Sequence, residues 1–195
     1  MTIDLFISCV MDQFYPDTAK NVVKVLNVAN VDVEYNPEQT CCGKFAFNSG
    51  FVDEAKELGE KFLRDFPNDR PIVGVSASCV GYIKKRYEEL FYNTASHLEY
   101  KRLVRNIFEF TDFLVNKINI MNFGAEFKHK VVYQDTCCSL RELGLKDEGR
   151  KLLSNVRGIE ILEMKYPEVC CGFGGGFFSI QHEAISVAMA ERKIK

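Results

Sequence analysis

Seven of the eight cysteines in this chain fall into a spacing that occurs twice. Two triplets, Cys41-Cys42-Gly43 and Cys170-Cys171-Gly172, each follow a single cysteine at the end of an apolar stretch. There are 31 residues between Cys9 and Cys41 and 32 between Cys137 and Cys170. Cys79, with 36 residues between it and Cys42, completes the first set. Four thiolates suit either a tetrahedral zinc ion or an iron–sulfur cluster. The adjacent pair favours the cluster: zinc sites usually space paired cysteines by two to four residues so that both sulfurs reach one ion. Neighbouring side chains diverge, and a group that spreads several irons over a few ångströms accepts that divergence. One such cysteine alone would be read as a small buried hydrophobe; seven in repeating register would not.

The glycines after each pair let the backbone adopt conformations closed to other residues and approach a bulky group. The second triplet runs on as Gly172-Phe173-Gly174-Gly175-Gly176. Such a loop could also cradle phosphate, but the lysine-serine or G-x-G-x-x-G context is missing. A thiol–disulfide enzyme cycling Cys41-Cys42 or Cys137-Cys138 ranks last, because adjacent-cysteine disulfides are strained and the role demands an exposed, low-pKa thiolate. Cys138 stands outside the pattern, as a packing thiol or a ligand with equal claim. His97 and His129 have no patterned neighbours and read as surface residues. His182 sits near the second triplet, but its counterpart in the repeat is Asp53, which argues against a ligand role. No Cys–His hydrolytic signature is present.

The elements that must position these cysteines repeat as well. Ile3–Ile7 leads into Cys9 as Lys130–Tyr133 leads into Cys137. Glu54 and Glu183 each lie twelve residues after the second cysteine of their pair. Self-similarity of this kind is an architectural signal. Strands are expected at Ile3–Ser8, Val31–Tyr35, Ile72–Ala77, Val131–Gln134 and Ile159–Met164. Helices are expected at Asp17–Ala29, Val52–Phe66, Gly81–Tyr92, Leu98–Lys117, Ser139–Asn155 and Ile180–Lys193. Val22, Val25, Leu26 and Ala29 give the first helix an apolar stripe, and Phe108, Phe110, Phe113 and Leu114 read as core packing. The alternation predicts an α/β fold of two pseudo-repeat βαβ units, Rossmann-like with parallel sheets, over residues 1–118 and 119–195. The cysteines then sit at the carboxyl ends of strands, where open α/β sheets build their sites. By the spacing of the first set, the last ligand of the second would fall beyond Lys195, so the second unit is expected to be truncated.

Composition sets the outer bounds. Hydrophobic residues make up 47% of the 195, with 16 Phe and no Trp, an ordinary globular balance. A net charge of −2 gives no reason to expect nucleic acid or an anionic membrane as partner. Basic runs such as Lys84-Lys85-Arg86 read as solvated helix faces. No stretch nears the roughly 20 apolar residues of a membrane span, and no basic leader precedes the first apolar run. A cytoplasmic location is expected, where ordered cysteines signal metal or redox chemistry rather than disulfides.

At the two triplets the chain resembles the cysteine-rich CCG-domain family, which includes the CCG-bearing subunit of heterodisulfide reductase and the iron–sulfur subunit of glycolate oxidase. Cys9, Gln39-Thr40-Cys41-Cys42-Gly43, Asn48-Ser49-Gly50 and Cys170–Gly175 are most similar to its lactate-utilization branch. The resemblance spans essentially the whole chain. It implies an NAD-independent oxidoreductase complex that converts L-lactate to pyruvate, with two further lactate-utilization subunits as partners. It also implies [4Fe-4S] clusters: one on Cys9, Cys41, Cys42 and Cys79, and a second involving Cys137, Cys170 and Cys171. The general motif ends in Cys-x-x-Cys; here Tyr82 replaces the last cysteine, which favours the lactate branch over heterodisulfide reductase. Cys138 stands where relatives commonly carry His.

Overall fold

The structure is a computed structural model and describes residues 1–194. Four short strands form the first sheet: β1 (Thr2–Phe6), β2 (Asp32–Glu34), β3 (Ile72–Gly74) and β4 (Ile107–Glu109), in the order β2-β1-β3-β4. Every pairing in it is parallel. The second sheet pairs β5 (Lys130–Tyr133) with β6 (Glu160–Glu163), also parallel. Thr2 pairs with Asp32 and Lys130 with Glu160, so each leading strand meets the residue thirty positions on. The expected βαβ repeat is therefore present, with one register in both copies.

Alternation along the strands divides the core of the first sheet. Ile3 and Leu5 of β1, with Val73, face α2 (Pro16–Val28), where Val22, Leu26 and Ala29 close the layer with Phe113 and Leu114. Phe108 and Phe110 pack against the same cluster, as the sequence predicts. Phe6, Ile72 and Ile107 face the other way. There they meet Phe62, Leu63 and Phe66 at α4 (Val52–Asp65) and Tyr82, Ile83, Tyr87 and Phe91 of α5 (Ala77–Phe91), with Tyr100 and Leu103 of α6 (His97–Asn106). Phe6, Phe62, Tyr87 and Phe91 meet edge-to-face, Phe6 and Phe62 at 4.8 Å between centroids. Each such full burial contributes roughly 2–3 kcal/mol of transfer energy. With both faces covered, the sheet holds its strand ends rigid, and that rigidity positions the cysteines.

Several expectations need correction. The helix expected over Leu98–Lys117 is interrupted by β4, after which α7 (Phe110–Asp112) runs into a π-helical turn at Phe113–Lys117. Ile107-Phe108-Glu109 fits a helical period as well as a strand, and its pairing with β3 decides for the strand. The helix expected over Ser139–Asn155 is two pieces, a π-helical turn at Cys138–Leu143 closed by Gly144 at φ +72°, and α8 (Glu148–Ser154). Two short helices lie where none is expected: α1 (Cys9–Phe14) and α3 (Lys44–Asn48). The chain finishes with α9 (Gly176–Gln181) and α10 (Glu183–Ile194). Among the described residues, no helix is long and apolar enough to cross a membrane.

Candidate metal centre

The two triplets share one backbone design. Gly43 and Gly172 have φ of +88° and +83°, and each donates its N–H to the sulfur of the first cysteine of its pair at 3.5 Å. A Cβ on Gly43 would meet the Ala55 carbonyl oxygen of α4 at 2.9 Å; one on Gly172 would meet the Ser186 oxygen of α10 at 2.5 Å. Glycine is thus required both by dihedral and by the approach of the following helix. The equivalent contact comes two residues later in the second copy, and α10 starts correspondingly later than α4. Glu54 and Glu183, equal in linear count, are for this reason not equivalent in space; the glycine-rich loop absorbs the extra length.

Cys9 opens α1, Cys41 and Cys42 end the loop after β2, and Cys79 lies in the first turn of α5. Gln39 joins them: its side-chain oxygen accepts from the Ile7 N–H at 2.8 Å, and its amide donates to the Leu5 and Asn36 carbonyls at 3.1 and 3.0 Å. The end of β1 and the approach to the first triplet are clamped together by that one side chain. Below the triplet, the Tyr87 hydroxyl donates to the Cys42 carbonyl at 3.0 Å. In the sequence, Gln39 stands out only through the family resemblance. Its one further signal is that a polar side chain falls directly before a ligand triplet.

All four thiols of the first set face a cavity of about 430 Å³. Cys9 donates to the Cys41 sulfur at 3.8 Å, and the Cys42 thiol lies against both Cys41 and Cys79 as the donor partner. Bonds from Cys42 and Cys9 hold the Cys41 thiol far below the usual range, and Cys42 lowers Cys79 in the same way. The donors move oppositely: its bond to Cys41, then burial, raises Cys9, and its bonds to Cys41 and Cys79, with burial, raise Cys42. A separation of roughly 3.8 Å is also the edge of a tetrahedron with zinc–sulfur bonds of about 2.3 Å. Among the described residues, no three Cys, His, Asp or Glu side chains surround a point that could hold one ion. Four sulfurs gathered in one cavity wall are a donor set that suits a polynuclear group.

A second cavity, of about 930 Å³, has Cys137, Cys138, Cys170 and Cys171 in its wall. It thus gathers the second patterned set and also Cys138, which the spacing left outside. Burial raises the Cys138 thiol, while Lys44 reaches its sulfur at 3.7 Å. Lys44 also donates to the Ser78 hydroxyl at 2.9 Å and carbonyl at 3.1 Å and lies 3.8 Å from Glu142. It lines both cavities, as do Phe173, Gly174 and Gly175. The two sets are separated by a shared wall. Of the basic run on α5, Lys85 and Arg86 are exposed, as expected, and line the larger cavity, while the half-buried Lys84 lies over the Phe108 ring at 5.3 Å.

Tyr82 is buried in the core with its hydroxyl unpartnered; it lines the larger cavity, and the hydroxyl also lies 3.5 Å from where a Cβ on Gly43 would stand, so that burial and then the neighbouring Cys42 and Cys41 raise it. His97 rests among Tyr92 and Tyr100, and His129 is exposed against Phe127, neither near a cysteine set. His182 departs from expectation: it lines the cavity of the first set, not the second.

The cysteine-rich domain family matches this chain over residues 3–84 and 131–195, one segment on each triplet. The chain belongs to that family. Within it, the chain is 37% identical to lactate utilization protein A 2 of Bacillus cereus strain Q1, over all of this chain and 81% of the relative. It is 38% identical to lactate utilization protein A of Oceanobacillus iheyensis, over 99% of this chain and 79% of that protein. Lactate utilization protein A 1 of Bacillus anthracis shares 36% over the same full length. The two matched segments carry β1 to α5 and β5 to α10, so the family's own unit coincides with the duplicated βαβ design.

Proposed function

We propose that this chain is a cytoplasmic iron–sulfur subunit of an NAD-independent complex that oxidises L-lactate to pyruvate, alongside other lactate-utilization subunits. The observation that carries the reading is the gathering of four thiols in one cavity wall, in a chain whose relatives are named for lactate utilization. In this reading residues 1–118 and 119–195 are two cysteine units. Cys9, Cys41, Cys42 and Cys79 hold one [4Fe-4S] cluster; Cys137, Cys170 and Cys171 contribute to a second. Such clusters supply one-electron transfer at a potential set by hydrogen bonds and burial.

The chain's own residues perform the rest. Gln39 and Tyr87 fix the backbone from which Cys9, Cys41 and Cys42 project. The Gly43 and Gly172 N–H groups place a donor on the first sulfur of each pair, which favours the thiolate needed for ligation. Lys44 sets a positive charge beside Cys79 and between the two sets, offsetting the negative charge that several thiolates gather there.

Iron, acid-labile sulfide and zinc content of anaerobically purified protein, with its visible spectrum, tests the proposal. Brown protein with iron and sulfide near one cluster or more per chain is the expected result. Colourless protein with stoichiometric zinc after anaerobic reconstitution would replace it with a structural-zinc reading.

A further inference from the structure

Two tyrosines of α5 lie beneath the first triplet, and their hydroxyls fare differently. The rings of Tyr82 and Tyr87 meet edge-to-face at 5.7 Å between centroids. The Tyr87 hydroxyl donates to the Cys42 carbonyl at 3.0 Å. Tyr82 is packed as firmly: it is 2% exposed, and Phe47 of α3 lies against its ring at 5.5 Å. Yet its hydroxyl is buried without a hydrogen-bond partner among the described residues. That oxygen lies 3.5 Å from where a Cβ on Gly43 would stand. Of the charged groups that bear on it, Cys42 comes first and Cys41 second. A phenylalanine would fill the same space without the cost of an unpaired buried hydroxyl.

We propose that the Tyr82 hydroxyl donates a hydrogen bond to the Cys42 sulfur once that sulfur is bound to metal, and thereby raises the reduction potential of the first centre. As a thiol, Cys42 is itself a donor, engaged with Cys41 and Cys79, and offers Tyr82 little. Ligation removes the thiol proton. The sulfur then carries negative charge, gives no bond to either neighbour and, at 1% exposure, is shut off from water. The one unused hydroxyl of α5 lies beside it with a proton to give. A hydrogen bond to a ligating sulfur stabilises the reduced, more negative state of the centre, and so raises its potential. Tyr82 is thus a positioning residue: it acts on a ligand and leaves the four-sulfur donor set complete.

This inference rests on the iron–sulfur reading, and Tyr82→Phe separates their fates. The full chain and its variant are compared metal-free and after anaerobic reconstitution. In the metal-free state the variant is expected to be at least as stable to urea as the parent, since the hydroxyl it lacks had no partner. After reconstitution the two should hold equal iron and sulfide, with a lower reduction potential in the variant by redox titration. Electron–nuclear double resonance of the reduced proteins in heavy water should show an exchangeable deuteron coupling in the parent that the variant loses. A metal-free variant less stable than the parent would mean that the hydroxyl is already bonded there, and would overturn the inference. Equal potentials in the two loaded proteins, or an unchanged deuteron coupling, would overturn it while leaving the cluster reading intact. A parent that takes up no iron and sulfide overturns both.

Discussion

The four thiols of the first set are not equivalent, and their differences lead to separable outcomes. Cys42 is 1% exposed, so Cys42→Ser buries a hydroxyl in place of a sulfur and is expected to cost roughly 1–3 kcal/mol of stability besides the cluster. Cys41 is partly exposed, and Cys41→Ser should lose cluster absorbance with stability almost unchanged. Iron analysis beside thermal unfolding of the two metal-free variants checks this; equal destabilisation would contradict it. Alkylation of metal-free protein reads the same asymmetry. Exposure alone favours Cys9, but its hydrogen bond to Cys41 raises Cys9 and lowers its acceptor. A lowered thiol stays ionised as pH falls, and a raised one needs higher pH to ionise. At pH 6, Cys41 should therefore be modified ahead of Cys9 and Cys138, both gaining reactivity toward pH 9. Peptide mass mapping at the two pH values decides it.

At the scale of elements, the glycine after each pair does two things, and a third glycine separates them. Gly50 has φ of +85° with nothing within 4 Å of a Cβ, whereas Gly43 has φ of +88° and the Ala55 carbonyl at 2.9 Å. Gly50→Ala is expected to cost roughly 1–2 kcal/mol from the backbone alone. Gly43→Ala should cost about twice that, because α4 must shift as well. Urea denaturation of both compares them, and equal costs would show that α4 moves freely. The legibility of the elements follows the same physics. β1, β5, α2 and α4 could be read because their apolar periods are local. β4 could not, because three residues of Ile107-Phe108-Glu109 carry no period of their own and become a strand only against β3. α1 and α3 are single turns or little more, and tertiary packing, not propensity, sustains helices so short.

At the scale of the molecule, the duplicated cysteine spacing announced two sites, but it could not say that each half helps enclose the other's. That depends on how α5 packs against the turn at Cys138–Leu143, a contact between residues far apart in sequence. Its consequence is that Phe173, Gly174, Gly175 and Phe178 from the second triplet's loop and helix cover the thiols of the first. In the proposed iron–sulfur reading, such a cover would restrict access of oxygen and water to the metal group. Phe178→Ala should thus load iron and sulfide as fully as the parent under anaerobic conditions and then bleach in air several-fold faster. The rate of absorbance loss after exposure to air-saturated buffer measures this directly. Equal rates, with equal loading, would mean that oxygen reaches the first site by another route. Reduced loading would mean that the second half of the chain is needed to form the site and not merely to cover it.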